Sequence, residues 1–173
     1  MKVESSSSTR KNVYLKIIYY AIVTLLICVL QLSFSFLISI DGITPDLVIL
    51  LVIWITLYDG KIVGLTSAFF IGLLYDYLSM NVLGINALTK TLVAYFTGFF
   101  FKENEFWNII KNNKIFIIIF FAIFFHNAIY YLLMMNLTEA SLWSMYFKYL
   151  IGCTAYTFAF SLLAFFFRIR KFW

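Results

Sequence analysis

Few residues in this chain are placed to do chemistry. Asp76 and Lys90 are ionisable groups inside otherwise apolar runs, where a charge is costly and marks a binding site, an ion path or a buried pair. Each lies seven residues from a turn centred near Leu83. Antiparallel helices flanking that turn would set both at similar depth, roughly 10 Å from it at about 1.5 Å rise per residue. One reading is an ion pair, since a lone charge there costs several kcal/mol or draws in water. The other is that each side chain reaches separately to a wet cavity. His126 and Asn127 sit together in a later apolar run, which has no carboxylate between 115 and 135 to build a proton relay. An interhelical hydrogen bond suits them better. Lys148 is expected to reach the interface, and Cys28 and Cys153 to be buried small hydrophobes, neither having a Cys-x-x-Cys partner.

Several chemistries are excluded by what these residues are. A single histidine rules out a multi-histidine metal site. No nucleophile-elbow, P-loop or dinucleotide pattern occurs, and no nucleophile and base fall together. The connections are too short for a folded catalytic domain. The reading is a protein that is not an enzyme and needs no cofactor or metal.

The elements that must hold these side chains are membrane helices. Of 173 residues 64% are hydrophobic and 12% charged, with a mean hydropathy of +0.95. A soluble domain of this length has too little polar surface to cover such a composition. The net charge of +5 comes from dispersed Lys and Arg, unlike a phosphate-binding face, so nucleic acid is not an expected partner. Apolar stretches predict an all-α integral membrane protein, a compact bundle of about six transmembrane helices at 13–40, 44–58, 62–78, 83–101, 115–135 and 142–167. The tail 1–12 reads as disordered, and 168–173 as a basic C-terminus. The first run is too long for a signal core and reads as an uncleaved helix. The second and third are short, so a re-entrant hairpin and two thin crossings both stay open.

Charge placement gives the topology. Lys2, Arg10, Lys11, Lys61, Lys102, Lys111, Lys114, Arg168, Arg170 and Lys171 fall in alternate connections; the stretches 41–46, 79–82 and 136–141 have no Lys or Arg. The positive-inside rule then puts both termini in the cytoplasm. Trp107, Trp143 and Trp173 fall near span boundaries, as belt residues do. Small residues recur at Gly60, Gly64, Ala68, Gly72 and Asp76, and at Gly84, Ala87, Thr91, Ala94 and Gly98. Both rows make narrow helix faces, for packing inside the bundle or for a partner.

Pro45-Asp46-Leu47, Asp59-Gly60, Gly64, the run from Phe70 through Gly72 and Asp76 to Ser79, Leu83-Gly84-Ile85, and Tyr95 to Gly98 together resemble the MreD family of bacterial rod shape-determining proteins. The resemblance covers 45–98. Asn86 stands where His is common in the family, and Lys90 has no counterpart in the pattern. The resemblance implies a non-enzymatic scaffold of the cell-elongation (elongasome) and peptidoglycan-synthesis machinery in the inner membrane. It also implies a fold like the substrate-binding subunits of energy-coupling-factor transporters. The implied partners are the MreC transmembrane helix, the MreB filament, a RodA-type glycosyltransferase and the elongation transpeptidase. Pro45, Asp46, Gly64, Gly72, Asp76, Gly84, Lys90 and Gly98 are the candidate partner-binding or helix-packing residues. The alternative is the substrate-binding subunit of a vitamin transporter of that energy-coupling-factor type, which requires a polar pocket near the outer face. The outer connections offer few polar residues to line one.

Overall fold

The computed structural model describes the backbone of residues 3–103, 105–112, 114–138 and 143–169. Side chains are described for these except 3–12, 36, 108, 110, 111, 135–138 and 164–169. Lys2, Arg170, Lys171, Trp173 and residues 139–141 of one expected connection lie outside the described residues, as do the side chains of Arg10, Lys11, Lys111 and Arg168.

Asp46, Gly60 and Gly84 punctuate the first half of the chain. Helix α1 is Val3–Ile38, α2 Leu47–Asp59, α3 Lys61–Leu78 and α4 Ile85–Thr97, prolonged by a 3-10 turn at Gly98–Phe100. A short α5, Phe106–Lys111, precedes α6, Lys114–Thr138, and α7, Trp143–Ile169. Among the described residues the structure is helical, apart from one isolated bridge between Ile40 and Ile43. Helical backbone reaches back to Val3, where a disordered tail was expected before residue 13. Residues 3–12 contain no Gly or Pro, so nothing in them stops a helix propagating backwards from the apolar run.

Val13–Ser35, Lys61–Leu78 and Lys114–Met134 are each long and apolar enough to cross a bilayer, and α2 is a shorter apolar helix. The protein is an all-helical membrane protein. Its centre is α2. Val48, Ile49, Leu51, Val52, Ile53, Ile55, Thr56 and Leu57 are all buried, as expected of a helix apolar around its whole circumference. One side of α2 packs with Cys28, Ala68, Ile71 and Ala94. The other packs with Val93, Phe106, Ile115, Ala122 and Ile123. Helix α1 sits at the periphery, with Ile18, Ile22, Leu25 and Val29 among its exposed residues.

The four-residue row on α3 joins it to two neighbours in turn. At 3.6 residues per turn, such a row drifts by roughly 40° per step around the helix. Gly64 therefore meets α2, where an added Cβ would come within 2.8 Å of Thr56 Cβ. Two steps on, Gly72 meets α4, and a Cβ there would lie 2.5 Å from Ala87 Cα. Backbone contact of that kind leaves no flexible side chain to give way. Gly72→Val is expected to cost at least about 1–3 kcal/mol by overpacking, whereas Leu73→Val on the exposed face stays within about 0.5 kcal/mol. Thermal unfolding in mild detergent measures both, and equal midpoints would contradict the close α3–α4 approach.

Candidate functional site

Asp46 is the last residue before an apolar helix, where a short carboxylate can accept from orphan amides of the first turn. Its Oδ1 accepts from the Ile49 amide at 3.0 Å, and its own amide donates to Thr157 Oγ1 on α7 at 3.0 Å. Gln31 of α1 closes the same corner. Its Nε2 donates to the Pro45 carbonyl at 2.6 Å, and its Oε1 accepts from the Leu47 amide at 2.9 Å. Asp46 Oδ2 faces the Lys90 ammonium of α4 at 2.9 Å.

The Lys90 side chain is 0% exposed. It carries three donors and no acceptor, and three groups surround it. Besides Asp46, Asn86 Oδ1 one turn back accepts at 2.6 Å, and His126 Nε2 of α6 lies at 3.4 Å. The ring of Tyr75 has its centroid 5.2 Å from the ammonium. Because Lys90 only donates, His126 Nε2 must accept, which assigns the proton to Nδ1. That nitrogen faces Asn127 Oδ1 at 3.3 Å, and Asn127 Nδ2 donates onward to Thr154 Oγ1 of α7 at 3.0 Å. A continuous polar chain thus runs from α2 through α4 and α6 to α7.

Asp76 is also 0% exposed but does another job. Gly84, at φ +98°, sits at the N-cap of α4 and has no side chain to cap it. Asp76 reaches across from α3 instead. Its carboxylate accepts from the amides of Gly84 at 2.9 Å, Asn86 at 3.1 Å and Ala87 at 3.4 Å, and from Asn86 Nδ2 at 2.8 Å. A carboxylate there is favoured by the orphan donors and by the positive end of the helix dipole.

The direct Asp76–Lys90 ion pair weighed from sequence is therefore corrected: Lys90 pairs with Asp46, and Asn86 bridges Lys90 to Asp76. Equal distance from the turn set a similar depth, but Asp76 is turned toward the amide-rich start of α4. Pro45, Asp46, Asp76, Gly84 and Lys90 are brought together in one network. Gly64 and Gly72 lie outside it as packing positions on α3, and Gly98 lies near the start of α3, where an added Cβ would come 2.7 Å from Lys61 Cγ. Sequence reasoning missed Gln31, Thr154 and Thr157. Their only signal was a polar group in an apolar run.

Two smaller clusters sit apart from the centre. Asp59 accepts from Lys16 and Tyr20 of α1, and Lys148 of α7 pairs with Asp41, both partly exposed. Among the described residues no three His, Cys, Asp or Glu side chains converge as a metal site. Asp46, Asp76, Asn86, Lys90, His126 and Asn127 each bond another protein group, so the arrangement is suited to fixing helices relative to one another.

A family model described as rod shape-determining protein MreD matches residues 11–172 of the chain. No curated protein and no solved structure matches it.

Removing one partner of a buried pair leaves a charge uncompensated, at about 3–5 kcal/mol. Lys90→Met is expected to destabilise by that order. In double-mutant cycles read by denaturant unfolding, Asp46→Asn with Lys90→Met should couple by at least about 1 kcal/mol. The Asp76→Asn cycle with Lys90→Met should couple less, and the reverse order would contradict the assigned partners.

Proposed function

The chain belongs to the MreD family of rod shape-determining proteins, and from that premise we propose that it is a non-enzymatic scaffold of the bacterial cell-elongation machinery. In this reading it crosses the cytoplasmic membrane six times with both termini inside, binds the transmembrane helix of MreC, and helps organise peptidoglycan synthases. Its family gives the broader role, which is rod shape determination. The observation that carries the finer reading is the closure of the buried polar network. Asp46, Asp76, Asn86, Lys90 and His126 bond one another or nearby amides, which favours a rigid framework over a site that opens to substrate.

A framework of this kind offers partners its outer surfaces. Within the α2–α4 unit, α2 is enclosed, and α3 turns Phe69, Phe70, Leu73 and Tyr77 outward. We place the MreC helix against this α3 face. The alternation of basic connections supports the orientation, since Lys61 and Lys114 then share the cytoplasmic side.

The test is a pull-down of tagged protein from its own membranes in mild detergent, with a photocrosslinking residue at Phe70 or, as a control, at Leu25. Recovery of MreC and elongation synthases, with an MreC adduct at Phe70 and none at Leu25, is the expected outcome. Recovery of paired ATPases with a coupling protein, or of a bound vitamin, would overturn the scaffold. In cells, Lys90→Met should lose rod shape in step with its loss of protein level; a fully abundant variant with no function would point to chemistry at Lys90 instead.

A further inference from the structure

Between the end of α4 and the first half of α6 lies a groove of about 750 Å³, open on one side. That volume is within the roughly 300–1,000 Å³ of small-molecule sites. Phe96, Phe99, Phe100, Phe121 and Phe125 line it, and its one charged wall residue is Lys114. Lys61 approaches the same end, its ammonium 3.7 Å from the Phe99 ring centroid and 3.9 Å from that of Tyr95. The other described lysines of this end are engaged, Lys16 with Asp59 and Lys102 with Glu105. Glu103 is exposed on the connecting segment. Among the described residues Lys114 has no carboxylate partner.

We propose that this groove binds an anionic phospholipid, with an acyl chain between the phenylalanine rings and the phosphate at Lys114 and Lys61. Two observations select this occupant over a protein helix. A transmembrane helix is about 10–12 Å across with its side chains, whereas this groove is a recess between α4 and α6, two helices already packed together. The groove wall is built of bulky rings around a gap, which suits a thin, flexible chain. Second, the charge lies at one end only, matching an amphiphile with a single anionic head, and basic pockets between helices at a membrane surface take such headgroups. The inference does not rest on the scaffold reading; it requires only that the Lys61–Lys114 end lie at a membrane surface.

Native mass spectrometry of the detergent-purified full-length protein, stripped and re-exposed to equal phosphatidylglycerol and phosphatidylcholine, tests it. Retention of phosphatidylglycerol is expected to exceed phosphatidylcholine by about five-fold, the preference that about one surface lysine confers. Lys114→Gln should lower that preference several-fold, while Lys148→Gln, whose lysine pairs with Asp41 away from the groove, should leave it intact. Ile117→Trp, at an exposed wall position, should reduce retention of both lipids. Equal retention of the two lipids by the unmodified protein overturns the headgroup site even if a variant fails to fold. A photocrosslinker at Ile117 that captures a protein instead of lipid overturns the occupant.

Discussion

An ammonium cut off from water must find its acceptors among neighbours, and those neighbours must then hold still. Lys90 imposes that condition on the whole bundle. Its stem rises from the middle of α4, yet its three contacts come from α2, α4 itself and α6. Asp46 answers with one carboxylate oxygen and uses the other to cap α2. The same residue therefore starts a helix and neutralises a charge on another, so the start of α2 cannot move without exposing Lys90. Gln31 and Thr157 fasten the outer helices to that corner. A polar centre of this kind is weak evidence for net stability, because desolvation offsets much of the attraction. Its effect is to specify one arrangement of helices whose apolar surfaces alone would pack in several ways.

The apolar packing agrees with the polar plan. Helix α2 is enclosed by neighbours, and the glycines of α3 let α2 and α4 approach it closely enough for Asp76 to reach the start of α4. Side-chain bulk at Gly72 would push α4 away and pull its first amides off the Asp76 carboxylate. The family's role in rod shape fits such a rigid piece, one that presents fixed outer faces.

Much of this was legible in the sequence, and the rest fails for a physical reason. Apolar run length pointed to long helices, three of which are apolar enough to cross a bilayer, while Asp46, placed inside the expected 44–58 helix, is the cap that starts α2 at Leu47. Asp76 was singled out as a charge inside a span, but whether it pairs with Lys90 stayed open, because depth along a helix says nothing of rotation about it. Gly84 held the missing clue: a helix start without a capping side chain needs an acceptor from elsewhere. His126 and Asn127 were read as hydrogen-bonding residues, but that His126 bonds Lys90 depends on α4 and α6 being neighbours, which no spacing within one chain segment encodes. Thr154 and Thr157 are of a type that recurs at helix contacts in membranes, so their type alone distinguishes little, whereas Gln31 carried the signal of a costly polar group but nothing local named its partner.

The most direct measurement of the central claim is the reactivity of Lys90 itself. Brief acylation of the folded protein in mild detergent by a small, membrane-permeable anhydride, mapped by peptide mass spectrometry, compares it with lysines at the surface. Lys114 and Lys148 should acylate readily, while Lys90 should remain unmodified until the protein is unfolded. Modification of Lys90 in the folded protein at a rate like that of Lys148 would contradict its place as the buried centre of the bundle.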